Sequence, residues 1–170
     1  MIIPRVMRIT DCLVSCDLPI QLRNRDADTR ALLEMARALR AAPFLTINER
    51  IDIALAVGAD GVHLPEWGMS SQLVKRLKAS LLVGVSVHSL ESGLRAQGEG
   101  ADYLIFGPIF ATPGKVPCGL GPLEQLVRQI KIPVIAVGGI TRELAGECLA
   151  AGAYGVAGIR GMDGWTLPDR

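Results

Sequence analysis

The chain has 170 residues, 49% of them hydrophobic and 21% charged. That balance suits one globular domain with a sizeable core and excludes a disordered chain. A formal net charge of +1 gives no electrostatic footing for nucleic acid or a membrane surface as partner. No apolar run reaches the ~18 residues of a membrane span, and the N-terminus lacks the apolar stretch of a secretory signal. Cys12, Cys16, Cys118 and Cys148 form no C-x-x-C pair, so they read as free thiols in a reducing cytoplasm rather than as a zinc site.

In chain order, the first apolar runs are RVMRIT (5–10) and IQLR (20–23), separated by DCLVSCDLP. A helical pattern follows over 26–42, with Leu32, Leu33, Met35, Ala36 and Leu39 on one face and Asp26 or Asp28 able to cap it. FLTIN (44–48) precedes the helix pattern ERIDIALAVG, and GVHL (61–64) precedes MSSQLVKRLKA. LLVGVSV (81–87) leads into SLESGLRAQ, YLIFGPI (103–109) into PLEQLVRQI, PVIAVGG (133–139) into TRELAGECLAA, and GVAGIR (155–160) comes last. The runs are almost continuously apolar, as strands buried on both faces of a parallel sheet are. Three helix patterns end in similar phrases: GADGV (58–62), GADYL (100–104) and GAYGV (152–156). In each, the glycine stops a helix and the following residues launch a strand. Eight strands in this order predict a (β/α)₈ TIM barrel, with a core over about 5–161 and a short tail over 162–170.

Two helices are missing from the pattern. The linker after the first strand is too short for a crossover helix, and too little chain follows the eighth. The gaps flank the first strand, so one side of the helical layer is expected to be open with apolar strand faces bare. A partner chain covering that side would make a homodimer. The alternative is a shortened, poorly stable relic.

Function in such a barrel lies at the C-terminal strand ends. There the sequence places Thr10 and Asp11; Gln21, Arg23 and Arg25; Asn48, Glu49 and Arg50; His63 and Glu66; Ser86 and His88; Thr112 and Lys115; Gly138 and Gly139; and Arg160. Arg23, Arg25 and Lys115 are cationic donors for an anion. Gly138-Gly139 precedes Thr141, which can cap the next helix and leave backbone N–H groups for a phosphate. Gln21 and Arg23 share a face because alternate strand residues do, and an inward Gln–Arg pair favours a ligand over scaffold. Arg50 reads as a structural partner of Asp52 or Glu49. His63 and His88 read as hydrogen-bonded scaffold, and solvent exposure competes with ligand binding for Lys115.

The string QLRNR…INERIDIALAVGADGVHL…GVSVHS…ADYLIFGPIFATPGK…IPVIAVGGIT, from about Thr10 to Gly161, resembles the thiamine phosphate synthase family, which includes the related thiazole tautomerases. The resemblance implies a transferase of thiamine biosynthesis. Such an enzyme joins hydroxymethylpyrimidine diphosphate to a thiazole phosphate and releases diphosphate with magnesium. It also implies roles. Gln21 and Arg23 match the family's Q-x-R at the pyrimidine diphosphate, and Arg25 stands where a lysine is usual. Asn48 matches the diphosphate-binding asparagine, and Glu49 replaces the aspartate that binds Mg²⁺. Ser86 matches the serine of the G-V-S strand end. Thr112 and Lys115 match the thiazole phosphate loop, and Gly139 the phosphate-binding glycine. Ile159 and Arg160 fill the positions whose backbone holds that phosphate. Arg23, Ser86 and Lys115 are thereby the implied catalytic residues.

Two departures matter. Synthases usually read GVHLGQDD where this chain reads GVHLPEWG, so Trp67 and Gly68 replace the aspartates and Glu66, one position early, is the substitute metal ligand. The tautomerases carry a histidine after F-G in the sixth strand, where this chain has Pro108. Three readings follow: the transferase; a relative that binds or isomerises a thiazole phosphate without condensing it; and a non-catalytic shortened barrel acting as a binding or regulatory subunit.

Overall fold

The computed structural model describes residues 2–15, 17–162 and 164–166. Eight parallel strands close into a barrel in chain order: β1 (Val6–Thr10), β2 (Ile20–Leu22), β3 (Leu45–Asn48), β4 (Gly61–Leu64), β5 (Leu82–Val87), β6 (Tyr103–Phe106), β7 (Val134–Val137) and β8 (Gly155–Gly158). β8 pairs back to β1 through Val6↔Val156 and Met7↔Ala157. Outside them lie α1 (Thr29–Ala38), α2 (Ile51–Val57), α3 (Ser71–Leu77), α4 (Leu90–Gly98), α5 (Leu120–Gln129) and α6 (Arg142–Ala150). The TIM barrel is thus borne out. So is the lack of helices after β1 and β8 among the described residues. Cys12, Cys118 and Cys148 are free; Cys16 lies outside the described residues. No helix among them is long and apolar enough to cross a membrane.

Local chemistry sets the element ends. Asp28 caps α1, its carboxylate accepting the Ala31 N–H at 2.8 Å. At the three repeated joints Gly58, Gly100 and Gly152 take φ of 62°, 88° and 95°, which glycine adopts without a Cβ penalty. The next N–H in each case reaches back five residues, Ala59 to Ala54, Ala101 to Ala96 and Ala153 to Cys148, at 2.9–3.0 Å. These bonds satisfy carbonyls that a helix end leaves open. The residue after that ties the joint to the barrel. Asp60 accepts the Leu45 N–H at 2.8 Å and Asp102 the Val83 N–H at 2.6 Å. The third joint has Tyr154 instead, whose hydroxyl donates to the Ile3 carbonyl at 2.8 Å and fixes the N-terminal segment.

Alternation sorts the strands into two faces. Ile20, Leu22, Leu45 and Ile47 pack outward against Leu32, Ala36 and Ile53 of α1 and α2. Val62, Leu64, Val83, Val85, Leu104 and Phe106 do the same beneath the later helices. Met7, Ile9, Tyr103, Ile105, Ile135 and Ala157 point inward and fill the barrel together with Ile3 and Phe44. Tyr103 needs a gap opposite: a Cβ on Gly84 would lie 2.1 Å from its ring.

The expected bare side is not present. Val6, Arg8 and Thr10 on the outer face of β1 are each at most 9% exposed. Leu18 of the β1–β2 linker packs against the cluster that holds Val6, and Met162 and Trp165 are buried in that same cluster. Burying side chains of this size contributes on the order of 2 kcal/mol each. Linker and C-terminal segment therefore replace the two helices, and the apolar contact expected to drive a homodimer through this side is already used within the chain.

Candidate active site

The inward residues near the C-terminal ends of β2 to β5 form a polar arc: Gln21, Asn48, His63 and Ser86. The next inward positions round the barrel, on β6, β7 and β1, are Ile105, Val137 and Ile9. Strand pairing sets Asn48 beside His63 and Gln21 beside Ile9. Gln21 is 2% exposed and donates from Nε2 to Asn48 Oδ1 at 3.2 Å. Asn48 passes the contact on, donating from Nδ2 to Glu49 Oε2 at 2.8 Å, and Arg25 stands 3.7 Å from the same carboxylate oxygen. Gln21 Oε1 is buried with no partner. A buried acceptor left open in this way costs free energy unless a ligand meets it.

Arg23 follows Gln21 on the inward side, its N–H bonded to the Thr10 carbonyl at 2.7 Å. With Asp11, Asn24, Arg25, Asp26 and Ala27 it lines a depression of about 580 Å³. Its charge also reaches His63. Burial first, and Arg23 second, lower the His63 imidazole from its ordinary 6.5 to about 3, because both disfavour the charged ring. Neutral His63 bonds through Nε2 to Ser86 Oγ at 2.8 Å, and its ring lies beside that of Tyr103 with centroids 5.9 Å apart. Thr10 is on the outer face, where its hydroxyl closes a turn on the Cys12 carbonyl. Arg50 holds Asp52 through two bonds of 2.9 and 2.6 Å, which raise its own pKa and lower that of Asp52; its structural reading holds.

Glu49 is a non-glycine residue in the left-handed region, with φ 61°. Its N–H is bonded to the His63 carbonyl at 2.9 Å, which holds the strained turn and aims the carboxylate at Arg25 and Asn48. Such conformations cost of order 1–3 kcal/mol and gather at functional sites.

The second arc, over β6 to β8, is built from backbone. Thr112 and Lys115 close a tight turn, the Lys115 N–H reaching the Thr112 carbonyl at 3.2 Å, with Gly114 at φ 74°. Thr112 Oγ1 is buried without a partner, whereas Lys115 is exposed. Gly139 has φ 63°, and a Cβ there would come within 2.6 Å of the Ala111 carbonyl oxygen. The β7–α6 loop therefore lies directly on the loop that carries Thr112. Thr141 caps α6 through the Leu144 N–H. Ile159 and Arg160 are exposed at the end of β8, the strand next to β7.

The two expected magnesium ligands are engaged by different partners, Glu49 by Asn48 and Arg25 and Glu66 by His88. Glu66 is hydrogen-bonded through its carboxylate to His88 Nδ1, and its carbonyl accepts from Arg95 at 3.3 Å. Arg95 also stacks 4.7 Å over the Trp67 ring, which is 82% exposed. Behind this loop is a cavity of about 180 Å³ that lies outside the barrel, against Val85 and Val87. Among the described residues no three His, Cys, Asp or Glu side chains are grouped to hold a metal. The residues present do not fit a magnesium ion held between two protein carboxylates.

The sequence alone did not join His63 to Ser86 or Glu66 to His88. The first pair had a signal: GVHL and GVSV are adjacent parallel strands, with His63 paired to Gly84, so Ser86 sits one inward position further along the same face. The second pair spans two loops, which no strand register fixes.

Residues 13–162 match the family model described as thiamine monophosphate synthase. The chain belongs to that family. It is 47% identical over 148 residues to a putative thiamine-phosphate synthase 2 of Aquifex aeolicus, covering 82% of this chain and 80% of that one. It is 37% identical over 169 residues to the thiamine-phosphate synthase of Pyrococcus furiosus, covering 95% and 82%. The solved thiamine phosphate pyrophosphorylase from Pyrococcus furiosus superposes with a TM-score of 0.82 at 36% identity, over 91% of this chain and 85% of that one. Family membership and this likeness make the chain an enzyme of the thiamine-phosphate synthase type, acting in thiamine biosynthesis.

Proposed function

We propose that the enzyme joins hydroxymethylpyrimidine diphosphate to a thiazole phosphate, releasing diphosphate. The observation that carries this reading is the division of the barrel mouth into two phosphate-suited arcs of different construction. On the β2–β5 side, Arg23 and Arg25 supply charge for a diphosphate, and the open Gln21 Oε1 suits a ring N–H or amino donor. On the β6–β8 side, the Thr112–Lys115 turn and Gly139, with the backbone at Ile159 and Arg160, suit a monophosphate.

In this reading the C–O bond to the diphosphate breaks first and the electron pair leaves with the oxygen. The thiazole nitrogen then closes on the pyrimidine methylene cation, forming the C–N bond. Arg23 and Arg25 neutralise the departing charge, and Ser86 offers it a hydroxyl. Lys115 fixes the second substrate from the opposite rim. Preorganised donors of this sort lower the barrier because they need no reorganisation as charge develops. A divalent cation would have to arrive on the ligand's own phosphates and meet Glu49 alone, so no step is assigned to it. The purified protein is expected to release diphosphate only when both substrates are present. Thermal stabilisation by the thiazole phosphate without diphosphate release would instead mark the non-condensing reading that Trp67 and Gly68 motivate.

A further inference from the structure

We propose that His63 is a positioning residue that donates from Nε2–H to Ser86 Oγ and so leaves the Ser86 hydroxyl hydrogen free to point at an anionic ligand oxygen. His63 is 1% exposed, Nε2 is 2.8 Å from Ser86 Oγ, and Nδ1 is buried with no partner. A neutral imidazole carries one N–H and one bare nitrogen. If the proton were on Nδ1, a buried N–H would be left unmade, which folded proteins almost never tolerate; a bare acceptor there is the lesser cost. The proton therefore belongs on Nε2.

That choice fixes the direction of the bond. Ser86 Oγ accepts from His63, and a hydroxyl that accepts still has its own hydrogen to give. Ser86 is only half-buried and makes no other side-chain hydrogen bond among the described residues, so the free hydrogen turns to the barrel mouth that Arg23 also faces. The arrangement is the reverse of a nucleophile–base pair, in which the histidine would take the serine proton. The fold protects it: the Tyr103 ring lies against the imidazole, Gly84 leaves the space for that ring, and the nearby Arg23 charge opposes ring protonation. The inference rests on the reading of the β2–β5 arc as the anion-binding side.

The test has two arms. Nitrogen-15 spectra of the ligand-free, full-length protein distinguish the two neutral tautomers. Only His63 and His88 are present, and a His88→Gln variant assigns the signals. The expected result is a protonated Nε2 on His63 at neutral pH, and a protonated Nδ1 overturns the proposal whatever the enzyme's substrates. In the second arm, diphosphate release is measured for Ser86→Ala, His63→Gln, His63→Leu and the His63→Leu/Ser86→Ala double variant. His63→Gln, which keeps an N–H donor, should retain more kcat than His63→Leu, whose kcat should fall about tenfold or more with KM changed less. In the Ser86→Ala background the His63→Leu change should have little further effect. Equal losses in both backgrounds would show that His63 does not act through Ser86. A correct tautomer with no diphosphate release from the wild type would count against the proposed reaction and leave the hydrogen-bond assignment standing.

Discussion

At Glu49 stability and function pull apart, and at His63 stability is tied to pH. Glu49 sits at φ 61° with a side chain engaged by Asn48 and Arg25. Replacing it by glycine relieves the left-handed strain and removes the carboxylate. The expected outcome of Glu49→Gly is a gain of about 0.5–1 kcal/mol in chemical denaturation together with a loss of synthase activity. A variant both less stable and fully active would refute the functional reading of that strain. For His63 the sign follows from protons bound. The unfolded chain takes up a proton below about pH 6.5, whereas the folded ring stays neutral until about 3. The stability linked to this group is thus present above pH 6.5 and is lost as pH falls, by up to about 1.4 kcal/mol per unit. Denaturation of the wild type and His63→Gln at pH 7 and pH 4.5 should show the difference between them move by about 2 kcal/mol against the wild type at the lower pH. A constant difference would mean that His63 is protonated inside the fold.

At the level of strands and helices, the sequence carried most of the plan because each element is marked locally. Three helices run out into glycines that take positive φ, and Asp28, Ser89 and Thr141 cap helices through their own oxygens. The run at 103–109 is strand only to Phe106, since Gly107 and Pro108 follow and Pro108 has no N–H for the ladder. What local patterns could not give was contact between distant segments. Leu18, Met162 and Trp165 fold onto the barrel wall, a packing choice that a helix count does not foresee. Gly84 illustrates the same limit. In the sequence it is a strand glycine like any other, and in the fold it is the space occupied by Tyr103. Gly84→Ala should force that ring to move and cost about 1–3 kcal/mol by thermal or chemical denaturation. A stability unchanged from wild type would mean that the interior has slack at this layer.

Across the whole molecule, closure of the barrel brings together residues from seven strand ends that lie far apart in sequence. The family resemblance named Gln21, Arg23, Asn48, Ser86, Lys115 and Gly139. The structure adds that Gln21 is bonded to Asn48, that Ser86 is bonded to His63, and that the Glu66 carboxylate is bonded to His88. The central claim is that one rim was built for a diphosphate and the other for a monophosphate. Calorimetric titration of Arg23→Gln and Lys115→Gln with hydroxymethylpyrimidine diphosphate and with thiazole phosphate, each alone, tests it most directly. Removing a charge-assisted bond weakens binding by about 10–100-fold. Arg23→Gln should lose that much for the pyrimidine diphosphate only, and Lys115→Gln for the thiazole phosphate only. If both variants weakened the same ligand, or neither changed either affinity, the two-rim account would be wrong.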